Sequence, residues 1–168
     1  TLIDALAPLD AEVVVATGTH LVGAAELTGA ENIHIEPFVP LSQIMERCEL
    51  VVCHGGLGTV LYALSHGVPL VTIPVGANQP SIAAHVHRSG AGIRVLGSEP
   101  RDTPWAPVSN PEAVTPEEVS NAAREVLSER RYANQAQVLQ RELRSLGDDR
   151  RAIRLLEQLA RTAAPIRP

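Results

Sequence analysis

The sequence predicts an α/β fold: an open, doubly wound parallel sheet, extended at its carboxyl end by helices. Three observations carry this expectation. Short runs rich in Val, Leu and Ile alternate with helix-length segments between residues 33 and 96, which is the rhythm of βαβ units. Aromatic residues make up 2% of the chain against 45% apolar residues. The core must therefore be aliphatic, as in a parallel sheet covered on both faces. A length of 168 residues suits one domain and is short for two, so residues 1–168 are read as a single domain.

The elements follow in order. Leu2–Leu9 has helical spacing, and Glu12–Ala16 (EVVVA) reads as a buried strand. Thr17 to Asn32 is polar and glycine-containing and reads mostly as loop. Ile33–Glu36 is a short strand, bounded by Pro37 because proline disfavours helix in the residue before it. Leu41–Arg47 is a short helix and Leu50–Cys53 (LVVC) a buried strand. The turn His54–Leu57 leads into a helix from Gly58 to His66. Leu70–Ile73 is the next strand, Pro74–Ala77 its exit, Asn78–Ser89 a helix and Gly92–Leu96 a last strand.

From Gly97 to Thr115 the character changes. Prolines 100, 104, 107, 111 and 116 fall in or beside this stretch, together with Trp105, the only tryptophan, so it reads as a long irregular loop. Thr115 before Pro116, Glu117 and Glu118 is a helix start: a hydroxyl cap, proline at the first position and acids at the positive end of the dipole. Helices then run to about Arg161, broken near Arg130 and Gly147. A doubly wound sheet ordinarily begins with a strand before its first helix. The first strand is accordingly expected upstream of Thr1, and the sequence reads as a fragment.

Charge and cysteine usage narrow the function classes. The net charge is −5 without blocks of like charge, so neither a nucleic-acid footprint nor a polybasic membrane patch is present. Apolar runs such as Leu50–Cys53 and Pro69–Val75 are too short to cross a bilayer. Cys48 and Cys53 read as reduced core thiols, which points to the cytoplasm. His85 and His87 lie two apart on one helix and point in different directions. Without further ligands at suitable spacing they do not read as a metal site; Cys48, Cys53 and His54 could be imagined as one, a grouping set aside by the resemblance given below, with which no metal or cofactor is expected.

The chemistry concentrates in LVVCHGGLGTVLYAL. A buried strand ends, glycines make a tight turn, and a helix begins. The first turn of such a helix offers unpaired N–H groups and a positive dipole end to an anion. Glycine lets the backbone come close to phosphate oxygens. Thr59 adds a hydroxyl, and His54 is placed to donate a further hydrogen bond. By itself the pattern also fits a βα turn whose glycines serve geometry alone. It is not a P-loop, lacking GK[ST], nor a dinucleotide GxGxxG. A second signal is PVGANQ at the end of the next strand, on the side where doubly wound sheets bind ligands. Asn78 and Gln79 bring amides suited to a polyol there, although Asn78 could equally cap the following helix. The third is Pro37-Phe38-Val39-Pro40, where an aromatic at a strand end can stack on a base or simply pack.

In this order and spacing, FVP, HGGLGT and HGVPLVTIPVGANQ resemble the donor-binding region of nucleotide-sugar-dependent glycosyltransferases of the two-domain GT-B type. The resemblance is greatest to actinobacterial enzymes that decorate antibiotics and other natural products, is more distant to plant UDP-sugar transferases, and runs from Phe38 to about Val95. It implies a Rossmann-like half of a GT-B fold, lacking the amino-terminal acceptor domain. It assigns Phe38 and Val39 to the base, His54, Gly56, Gly58 and Thr59 to the donor diphosphate, and Asn78 and Gln79 to sugar hydroxyls. Gly67, Val68 and Pro69 match a structural turn. The resembled reaction is inverting transfer from a nucleoside-diphosphate sugar, TDP- or UDP-linked, to a hydroxyl of a small-molecule acceptor. Its general base, a histidine, belongs to the absent domain, so the fragment alone is expected to be inactive. In the resembled fold the last helices pack back toward that other domain.

Two departures matter. Asn78 stands where the family commonly has Asp, and Leu41 and Tyr62 stand where the plant enzymes have ribose-binding Gln and Glu. A lost carboxylate weakens a charge-assisted bond to a hydroxyl, which points to a hydroxyl-poor deoxysugar on TDP. The rival readings are a nucleotide-sugar 2-epimerase on the same fold, a non-catalytic glycosyltransferase partner, and, third, a generic dinucleotide-binding domain.

Overall fold

The structure, a computed structural model, describes residues 2–18, 30–98, 100–102, 106–110, 112–146 and 150–162, with the backbone alone at 150–152 and 162. Most of the loop expected over Thr17–Asn32, Trp105, and the helix break at Gly147 lie outside the described residues.

Helix α1 (Leu2–Leu6) leads to strand β1 (Val13–Ala16), which pairs in parallel with β2 (Ile33–Glu36). Helix α2 (Leu41–Ile44) tightens into a 3-10 turn at Met45–Arg47, dividing what the sequence presents as one helix. Strands β3 (Val51–Cys53), β4 (Leu70–Thr72) and β5 (Gly92–Arg94) form a parallel sheet with β4 in the middle. Helix α3 (Leu57–Ser65) joins β3 to β4, and α4 (Gln79–Ser89) joins β4 to β5. Every predicted strand is present within a few residues, and all pairings within the two sheets are parallel.

Among the described residues the strands fall into two parallel groups. The pair β1–β2 and the triplet β3–β4–β5 share no ladder. The strands flanking the break each keep one unpaired edge, and burial shows the consequence. Central β4 is fully buried, whereas β3 is half-buried and Val14 of β1 is 46% exposed. EVVVA and LVVC were expected as buried strands because continuous apolar runs imply cover on both faces. The described chain supplies that cover only in part. Val13 and Val52 nevertheless pack against one core with Val71, Ile73 and Val95.

Helix α5 (Pro116–Ser128) closes that core, contributing Val119, Ala122, Ala123 and Val126 and packing against α1, β4 and β5. Its start is the expected one and is complete. The Thr115 hydroxyl accepts from the Glu118 backbone N–H at 3.2 Å, and a Glu118 carboxylate oxygen accepts from the Thr115 N–H at 2.9 Å. Helix α6 (Arg130–Ser145) packs on α3, with Ala136 buried and the Gln140 amide donating to the Ser65 carbonyl. Helix α7 (Arg150–Thr162) follows, with Ile153, Leu156 and Leu159 exposed along its length. This last helix thus carries an exposed apolar stripe beside its charged residues. No helix among the described residues is long and apolar enough to cross a membrane.

Candidate functional site

Because β3 and β4 are neighbours, the loops leaving their carboxyl ends emerge side by side. The first is His54-Gly55-Gly56 before α3, and the second is Pro74–Asn78 before α4. The first packs against the start of α4, into which the second leads, at Gly55, which is buried with φ +83. A Cβ built there would lie 3.4 Å from the Gln79 carbonyl oxygen and 3.6 Å from the Ala83 Cβ. Glycine supplies the left-handed conformation that bends the turn back against the first turn of α4. The Gly55 N–H donates to the Cys53 sulfur at 3.4 Å. Burial pushes the Cys53 thiol above its ordinary pKa, and that N–H bond pulls partly the other way.

The other two glycines have different reasons. A Cβ on Gly56 would stand 2.7 Å from Nε2 of His54. The absent side chain thus leaves room for the imidazole, which is exposed at the entrance to α3. Gly56 is the N-cap of α3, and no side chain caps the helix. Its first bond runs from the Val60 N–H to the Gly56 carbonyl. The N–H groups of Leu57, Gly58 and Thr59 therefore have no acceptor among the described residues. Gly58 has neither a positive φ nor a neighbour within 4 Å of where its Cβ would be. Nothing among the described residues requires glycine at 58, and they leave the space beside that helix start open. Thr59 is half-buried in the same turn.

In the second loop, the Asn78 side chain makes no capping bond and is exposed, so capping does not occupy its amide. Gln79 is differently placed. Its Oε1 accepts from the backbone N–H groups of Val75 and Gly76 at 3.0 and 3.1 Å. Ala77, between Gly76 and Asn78, has φ +54. Phe38 and Val39 leave the carboxyl end of β2, in the other sheet, with the Phe38 ring 74% exposed. The structure thus brings His54, Gly56, Gly58 and Thr59 into one turn and seats Asn78 and Gln79 beside it, while Phe38 belongs to a separate strand pair.

Sequence reasoning missed two supports. Gly55 was not singled out, although its position between strand and helix was the available signal. Ser109 had none: it sits in the proline-rich loop, yet it is fully buried. Its N–H donates to the Pro74 carbonyl at 2.7 Å and its hydroxyl to the Val95 carbonyl at 2.6 Å. With an antiparallel bridge between Arg101 and Val108, this pins the otherwise irregular loop beneath the exit of β4. Both cysteines are free thiols, and no group of three or more His, Cys, Asp or Glu stands ready for a metal among the described residues. A cavity of about 590 Å³ lined by residues 7–12 and Asn32 opens at the amino end of β1, away from these loops.

Parallel strands, an uncapped helix start and two loops meeting at the strand ends define an α/β domain of the doubly wound class, with its ligand side at the carboxyl ends. The chain belongs to the family of erythromycin biosynthesis protein CIII-like C-terminal domains, whose model matches residues 1–158. It is 38% identical over 93 residues to aclacinomycin-T 2-deoxy-L-fucose transferase of Streptomyces galilaeus, covering 55% of this chain and 21% of that protein. It is 29% identical over 143 residues to an uncharacterised UDP-glucosyltransferase of Bacillus subtilis, YojK, covering 85% of this chain and 32% of that protein. Among solved structures it is similar to the spinosyn rhamnosyltransferase SpnG complexed with thymidine diphosphate, at TM-score 0.77 and 27% identity, covering 93% of this chain and 39% of the other. The chain thus spans a third or less of the length of these curated relatives. The fold is that of the carboxyl-terminal half of GT-B glycosyltransferases.

Proposed function

We propose that this chain is the donor-binding domain of an inverting glycosyltransferase that moves a sugar from a nucleoside diphosphate to a hydroxyl of a small-molecule acceptor, in the cytoplasm. The observation that carries the reading is the bare amino terminus of α3: three N–H groups without acceptors among the described residues, beside an open glycine and an exposed histidine. A leaving diphosphate gains negative charge as the glycosidic bond breaks. Fixed N–H dipoles and a helix end, with the His54 imidazole as a further donor, stabilise that charge without reorganising. These groups carry the charge that a metal would otherwise take, so none is required. Asn78 and Gln79 hold sugar hydroxyls, and Phe38 and Val39 the base. The general base and the acceptor pocket belong to an amino-terminal half, so the 168 residues alone turn nothing over.

Two likenesses support the donor class: a relative named for 2-deoxy-L-fucose transfer, and a structural neighbour complexed with thymidine diphosphate. The UDP-glucosyltransferase relative points to the alternative nucleotide. Calorimetry with the full-length protein decides between them. The proposal expects TDP-deoxysugars to bind more tightly than UDP-glucose, and the reverse order would remove the deoxysugar assignment. His54→Ala should weaken thymidine diphosphate binding about tenfold or more, the loss of one hydrogen bond to a charged group. Asn78 in place of an acid favours a second reading, a non-catalytic partner. A full-length protein that binds nucleotide sugar yet releases no nucleoside diphosphate with any acceptor would establish it.

A further inference from the structure

Gln79 opens α4 against Gly55 of the first loop, and half of its side chain is already occupied. Its Oε1 accepts from the Val75 and Gly76 N–H groups at 3.0 and 3.1 Å, while its own backbone N–H donates to the Gly76 carbonyl at 3.2 Å. The amide's orientation follows from chemistry, since two N–H donors require the oxygen on that side. The loop clasped in this way holds Ala77 at φ +54, the one positive φ on a non-glycine residue among the described residues. An L-residue keeps that conformation only where its surroundings over-determine it. Asn78 follows directly, exposed and uncapped, and the Gln79 carbonyl faces Gly55 across the junction.

We propose that Gln79 is a positioning residue. It clasps the exit of β4, keeps Ala77 left-handed and so sets the direction in which Asn78 presents its amide to the donor sugar. Toward that sugar Gln79 itself offers only the Nε2 donor. This inference rests on the nucleotide-sugar reading of the site and adds to it a division of labour between neighbouring amides that the sequence presents as a pair.

Hydrogen exchange with mass spectrometry on the ligand-free, full-length protein tests the clasp. In Gln79→Ala the amides of Val75 and Gly76 should exchange about fivefold faster or more, each having lost a hydrogen bond. Gln79→Glu should keep the protection, because a carboxylate accepts the same two bonds, and it guards against a folding defect in the alanine variant. Unchanged exchange in Gln79→Ala overturns the proposal. Calorimetry with TDP-rhamnose tests the positioning. Gln79→Ala should weaken binding, and adding Ala77→Gly should recover part of it, since glycine adopts the left-handed conformation unaided. Lost protection without any recovery leaves a clasp that does not set the direction of Asn78, which also overturns the positioning role and with it the proposal. A wild-type protein that binds no nucleotide sugar sinks the proposed function and the ligand named here, while the exchange result still decides whether the clasp exists.

Discussion

Gly55 and Gly58 sit three residues apart in one turn and should respond oppositely to the same substitution. Gly55→Ala puts a Cβ on a residue at φ +83, which costs about 1–2 kcal/mol. For a chain of this length that lowers Tm by roughly 2–8 °C, measurable by thermal denaturation. Gly58→Ala meets nothing within 4 Å and adds a better helix former to the first turn of α3. Its Tm should hold or rise slightly, while binding at the turn suffers. The turn as a whole was legible because glycines between an apolar run and a helical pattern announce a strand-turn-helix. Which glycine serves the fold and which leaves space was not, because that depends on φ and on neighbours distant in sequence, Gln79 and Ala83. The same holds for Gln79: the letters NQ show two amides, but only the folded loop shows one of them bonded to Val75 and Gly76. Ser109 was hidden more deeply, since a serine among prolines carries no pattern of its own.

Among the elements, those with local signals were read closely. The start of α5 is written in Thr115, Pro116 and Glu118, and the capping box is there. Thr115→Ala should cost about 1 kcal/mol and lower Tm by a few degrees; no change would mean that tertiary packing alone holds the helix end. Strand positions were likewise legible from apolar runs. Strand burial was not, because it depends on neighbours in the sheet. Val71 has β3 and β5 beside it and is fully buried, while Val14 has β2 alone and is 46% exposed. The apolar stripe of α7, Ile153 with Leu156 and Leu159, shows the same thing at the other end of the chain: an element with helical periodicity and an uncovered face.

At the scale of the whole molecule, these uncovered edges and faces fit a domain that works as part of something larger. In a longer protein, a further parallel strand between the pair and the triplet would cover a free edge of each. Edge amides of Val13–Ala16 and Val51–Cys53 should then exchange more slowly in the full-length protein than in the 168 residues alone; equal rates would argue against such a strand. The central claim is that the bare start of α3 receives the donor's diphosphate. Calorimetric titration of thymidine diphosphate into the full-length wild-type protein and its Gly58→Ala variant addresses it most directly. The account predicts binding to the wild type and a loss of about tenfold or more, roughly 1.4 kcal/mol, in a variant whose Tm is undiminished. Equal affinity in the two proteins would place the diphosphate elsewhere and contradict the account.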